Sequence, residues 1–110
     1  MTDRLYLDHI LSRIGRIQRY TADGRDAFFD DDKTQDAVVR NLQTLAESTQ
    51  RLSDPLKRRH YDVDWRAIAG FRNVVVHNYL GLDPEVIWRV VADDLPRLSE
   101  TVRRMRDDLG

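Results

Sequence analysis

Arg72, Asn73, His77 and Tyr79 stand within one short stretch, Arg72-Asn73-Val74-Val75-Val76-His77-Asn78-Tyr79. Arginine supplies a permanent, forked cation that fits phosphate oxygens. Histidine gives or takes a proton near neutral pH. That pair suits phosphoryl chemistry on a substrate that carries its own nucleophile, and RNA carries one in its 2′-hydroxyl. On this reading Arg72 clamps the phosphate and stabilises the charge that builds on phosphorus, while His77 acts as acid or base. Asn73 orients a catalytic group or completes a hydrogen-bond network. One histidine and one arginine are a sparse set for this work, and two copies facing each other across a symmetric dimer would double it. The same groups could also hold a phosphate without turning it over.

These side chains need a helix to present them. At about 100° per residue, positions seven apart share a stripe, so Arg72 and Tyr79 lie on one face, and His77 lies over Asn73. Val74, Val75 and Val76 fill the space between and give the segment an apolar body. Its polar groups, Asn78 among them, are costly to bury without partners. Asp64 is placed to cap this helix, with Trp65, Ile68 and Ala69 or Phe71 facing inward. The helix is expected to end near Gly81.

Three further helices are expected around it. The first starts at Thr2 or Asp3 and carries Leu7, Ile10, Ile14 and Ile17 at 3-4-3 spacing, up to a stop at Asp23-Gly24. Arg13, Arg16 and Arg19 follow a neighbouring face that reads as solvated. The second follows Asp30-Asp31-Asp32, whose carboxylates suit the positive end of a helix; Asp32 and Gln35 have the spacing of a capping box. Val38, Leu42, Leu45, Thr49 and Leu52 form its apolar stripe, and Ser53-Asp54-Pro55 ends it. The last opens at Asp83-Pro84-Glu85 and runs through Ile87, Val91, Leu95, Leu98, Val102, Met105 and Leu109. Pro96 removes a donor inside it, so a kink or a split is expected near Asp94. The fold class is therefore all-α, an up-and-down bundle of four long helices with the last one kinked or split near Pro96.

Between the second and third helices lie Lys57, Arg58, Arg59 and His60, with Arg66 soon after. This is the densest basic patch in the chain. It reads either as a solvated loop or as phosphate contacts that set an RNA strand against His77.

The Arg-x4-His-x-Tyr pattern, with Asn directly after the Arg and Gly70-Phe71 before it, resembles the signature of the HepT-like HEPN domains. Asp36-Ala37-Val38-Val39-Arg40-Asn41-Leu42 and Ala46-Glu47-Ser48 resemble that family's second helix, the one that flanks its active groove and here carries Arg40 and Glu47. Trp65, Ile68, Val86-Ile87-Trp88 and Asp94-Leu95-Pro96 extend the likeness over nearly the whole chain. The resemblance implies one HEPN domain over 1–110. It implies the toxin half of a HepT/MntA toxin–antitoxin pair: a dimeric, metal-independent endoribonuclease with Arg72 and His77 catalytic and Asn73 supporting. It also implies that a nucleotidyltransferase (MntA-like) antitoxin transfers AMP from ATP to Tyr79, adding anionic bulk beside Arg72 and His77. HEPN domains occur too as non-catalytic partners that bind nucleotide or phosphate for a nucleotidyltransferase.

Bulk properties fit a single small domain. The chain has 110 residues, 34% charged and 41% hydrophobic, and a formal net charge of −1. Global charge alone would not grip nucleic acid, so RNA binding needs a local patch. There is no cysteine, hence no disulfide, thiolate ligand or thiol nucleophile. His9, His60 and His77 match no helical zinc spacing, so neither metal nor cofactor is expected. No run reaches the roughly 20 apolar residues of a membrane span, and the start lacks a signal-peptide pattern, which places the chain in the cytoplasm. Expected partners are RNA, a second copy of the chain, and an antitoxin that could form a hetero-oligomer with it.

Overall fold

A computed structural model describes residues 2–66, 68 and 83–109. They form helices α1 (Asp3–Tyr20), α2 (Arg25–Phe29), α3 (Asp32–Gln50) and α4 (Asp54–Arg59), then α5 (Pro84–Arg89), a π-helical turn (Val90–Asp94) and α6 (Leu95–Leu109). No strand occurs among the described residues, and the fold is all-α as expected. Trp65, Arg66 and Ile68 are also helical, and the Ile68 amide donates to the Asp64 carbonyl at 3.2 Å, so the third expected helix begins where the sequence placed it. The remainder of that helix lies outside the described residues.

α1 is the centre of the packing, lying along α3 and then α6. Its stripe of Leu7, Ile10, Ile14 and Ile17 is wholly buried. Opposite it, Val38, Leu42, Leu45, Thr49 and Leu52 are buried from α3 and the turn after it. Each such aliphatic side chain contributes about 1.5–3 kcal/mol on leaving water. Thr2 caps α1, accepting from the Leu5 amide at 3.4 Å. Asp3 instead reaches across to the far end of α3: its carboxylate accepts from the Ser53 amide at 2.8 Å and the Ser53 hydroxyl at 2.6 Å. Ser53 in turn caps α4 through the Leu56 amide. One carboxylate thus joins the start of α1 to the α3–α4 corner.

Two short helices escape the periodicity argument. After α1 the chain turns at Gly24, whose φ of 97° is a conformation that side chains rarely adopt, and α2 follows. Phe28 of α2 is buried; its ring meets Phe29 edge-on at 5.7 Å and Trp88 at 5.5 Å. Arg25 lies over the Phe29 ring at 4.4 Å and pairs with Glu85 at 2.6 Å, which ties α2 to α5. The second short helix, α4, replaces the expected connector loop: Lys57, Arg58 and Arg59 form its last turn.

The cap of α3 also differs from expectation. Asp31, not Asp32, is the capping residue; it accepts from the Lys33 amide at 3.0 Å and the Thr34 hydroxyl at 2.8 Å. The Thr34 hydroxyl, with the Lys33 and Thr34 amides, outweighs desolvation and holds the Asp31 carboxyl below its ordinary value. Gln35 does not reach back as in a capping box. It donates to the carbonyls of Phe28 and Phe29 and closes the end of α2.

The last helix is not split. It runs on from α5 to α6 through the π turn, in which the Leu95 amide donates to the Val90 carbonyl five residues back. Pro96 follows directly, and its ring would crowd the Ala92 carbonyl in a regular helix. The wider turn also rescues the core register. Ile87, Val91 and Leu95 are spaced 4-4, which drifts by about 80° on an α-helix, yet all three are buried. The extra residue in the turn absorbs that drift.

Candidate functional site

Arg72, Asn73, His77 and Tyr79 lie outside the described residues. What is described is the approach to them. Trp65, in the helical turn that follows Asp64, donates from its indole Nε1 to the Lys57 carbonyl at 3.3 Å and the His60 carbonyl at 3.2 Å. Helix ends leave carbonyls unpaired, and this indole satisfies those at the end of α4. The Lys57 ammonium stands 6.0 Å from the centre of the same ring. The basic helix and the helical turn at Trp65 are therefore fastened by one side chain.

Three of the four proposed RNA-contacting residues come together there. Lys57, Arg58 and Arg66 line one open cleft of about 650 Å³, with Tyr61 and Trp65. Arg59 is exposed but does not line the cleft. Asp54, Asp62 and Asp64 also line it, so three cations meet three carboxylates and the lining charge cancels. Asp62 is itself engaged by Arg104 of α6 at 3.5 Å.

A second polar cluster sits between α1 and α3. The His9 Nδ1 is 3.0 Å from the Ser48 hydroxyl, and its Nε2 is 3.2 Å from Nη2 of Arg13. The other terminal nitrogen of Arg13 donates to the Asn41 side-chain oxygen at 3.3 Å, and Asn41 donates to the Ala37 carbonyl at 2.8 Å. A guanidinium can only donate. Nε2 of His9 must therefore accept, and Nδ1 must carry the proton towards Ser48. Arg13 is thus drawn inward and leaves the solvated face assigned to it, whereas Arg16 and Arg19 are exposed as expected. The Arg13 Nε is buried without a hydrogen-bond partner among the described residues.

His9 and Ser48 open onto a cleft of about 330 Å³ that Glu47 and Arg51 also line. Sequence reasoning passed over this cluster. Its signal was Asn41 and Ser48, two polar residues seven apart on the buried face of α3.

Residues 10–105 match the family Ribonuclease HepT-like. The chain belongs to the HepT-like ribonuclease family. A probable ribonuclease HepT from Thermococcus cleftensis is 33% identical over 102 residues, covering 92% of this chain and 93% of that one. A Methanocaldococcus jannaschii protein, named as a gamma-glutamylcyclotransferase and candidate RNase, is 32% identical over 107 residues, 96% of this chain but 48% of its own length. A candidate RNase from Caldanaerobacter subterraneus subsp. tengcongensis is 30% identical over 105 residues, 94% of each chain. The chain thus spans about half of the second relative and nearly all of the other two. No solved structure matches it.

The HepT-like match runs across α1, α3, α4, the basic cleft and the Arg72–Tyr79 stretch. The family is described as a ribonuclease family, and the relatives are named as probable or candidate ribonucleases. No helix among the described residues is long and apolar enough to cross a membrane.

Proposed function

We propose that this HepT-like chain is a metal-independent endoribonuclease and the toxin of a toxin–antitoxin pair. The reading is carried by one observation: the family match spans Arg72, Asn73, His77 and Tyr79, the residues whose types suit this chemistry. In the reaction the 2′-hydroxyl attacks the adjacent phosphorus and gives its proton to a base. The 5′-oxygen leaves and takes a proton from an acid, so the products are a 2′,3′-cyclic phosphate and a 5′-hydroxyl end. His77 supplies one proton transfer, and a second copy of the chain supplies the other histidine. Arg72 holds the phosphate and stabilises its added negative charge, and Asn73 orients these groups. Lys57, Arg58 and Arg66 place the strand, with Arg59 beside them. An MntA-like nucleotidyltransferase silences the enzyme by moving AMP from ATP to Tyr79, which adds negative charge beside Arg72.

The test uses purified protein in the presence of a chelator. Labelled RNA is expected to be cut to cyclic-phosphate ends, and His77→Ala or Arg72→Ala to slow cutting by about 10²–10⁴-fold. Incubation with the nucleotidyltransferase and ATP is expected to add AMP mass to the wild type and none to Tyr79→Phe. Binding of RNA or nucleotide with no cutting above the His77→Ala background would replace this reading with that of a non-catalytic nucleotide-binding partner.

A further inference from the structure

We infer that Tyr61 is a stacking platform for an unpaired base, and that the cleft beside it takes single-stranded RNA in preference to duplex. This rests on the reading of the chain as an RNA-acting protein, and it adds a residue and a substrate form to that reading.

Tyr61 is 87% exposed, far more than the other exposed large hydrophobics among the described residues, of which Leu5 at 49% comes next. A singly exposed ring is ordinary on a protein surface; what sets this one apart is its place on the cleft. Its position is not that of a loose loop tip. The turn that carries it is closed by backbone bonds from Val63 to His60 at 3.2 Å and from Trp65 to Val63 at 3.0 Å. Its two neighbours are tied to α6: His60 stands 3.8 Å from Asp108, and Asp62 pairs with Arg104. With both flanking residues turned towards α6, Tyr61 is left exposed and lines the cleft with Lys57, Arg58 and Arg66.

The charge balance selects the form of the ligand. A duplex hides its base faces and is held mainly through closely spaced phosphates. A cleft whose three cations meet three carboxylates gives such a ligand little net attraction. A single strand can do what the duplex cannot. Its bases are free to lie on an aromatic ring, so stacking adds the attraction that the cancelled charge does not, while single phosphates meet Lys57, Arg58 and Arg66.

The experiment titrates the full chain into a short fluorescent 2′-O-methyl RNA, alone and annealed to its complement. The methyl group removes the nucleophile, so binding is read without cleavage. The single strand is expected to bind at least about tenfold more tightly than the duplex. Tyr61→Ala should weaken that binding by about five- to a hundredfold, with Tyr61→Phe close to wild type because the ring, not the hydroxyl, stacks. A 4-thiouridine in the same strand should cross-link to Tyr61 under light. Equal binding by Tyr61→Ala and wild type would overturn the inference, as would a duplex bound as tightly as the single strand. If Lys57→Glu abolishes binding and Tyr61→Ala does not, stacking alone fails and the RNA reading stands. If the wild type binds neither form, both fall together.

Discussion

At the residue scale, the His9–Arg13 contact fixes a proton. Arg13 can only donate, so the tautomer that fits this contact carries its hydrogen on Nδ1. Nitrogen-resolved NMR of the His9 ring at neutral pH is expected to show that tautomer, and Arg13→Met to release it towards the ordinary mixture. A ring with its hydrogen on Nε2 would contradict the geometry. Neither partner was legible as part of a cluster. His9 and Arg13 are four apart on α1, but Asn41 and Ser48 join them only across the α1–α3 interface. An arginine on a helix reads as solvated until the facing helix shows what it meets.

At the element scale, long periodic helices were legible and short ones were not. The stripes of α1 and α3 repeat over about three and four turns, so burial had a period to reveal it. α2 has five residues and α4 six, too few to show one. Pro96 marked an irregularity in the last helix but not its kind. The π turn followed from the core's demand that Ile87, Val91 and Leu95 face one way, which local sequence does not state. The centrality of α1 can be measured. Ile14→Ala is expected to lower unfolding free energy by about 2–5 kcal/mol in urea titrations. Leu5→Ala, on the exposed side of the same helix, is expected to stay within about 0.5 kcal/mol. Similar losses for the two would mean that α1 does not anchor the core. The cap Asp83 lay where the sequence put it, whereas Ser53, read only as part of the break after α3, also caps α4; the capping role of Asp31 in place of Asp32 turned on which carboxylate met the Thr34 hydroxyl.

At the scale of the whole molecule, the near-zero net charge makes binding a local matter. With a formal charge of −1, no long-range field draws RNA to every face. Salt should therefore act through the few cations of the cleft. RNA affinity is expected to fall with rising salt, and Lys57→Ala to reduce the slope of log affinity against log salt by about one. A slope unchanged by that substitution would place the phosphate contacts elsewhere. The family and the all-α class were legible because the match runs through most of the chain. The grouping of Lys57, Arg58 and Arg66, the exclusion of Arg59 and the acids that balance them were not, since each depends on how α4 turns against the next helix.

The indole of Trp65 has an optical consequence. The chain has two tryptophans, and Trp88 rests against Phe28 between α2 and α5, away from the cleft. Trp65 is held at its nitrogen by two carbonyls of the basic helix and lies beneath a lysine ammonium. Its emission is therefore coloured by the position of that helix and of that charge. With Trp88 replaced by phenylalanine, the protein would carry a built-in lamp at the mouth of the cleft, one that changes hue whenever a ligand draws Lys57 off the ring.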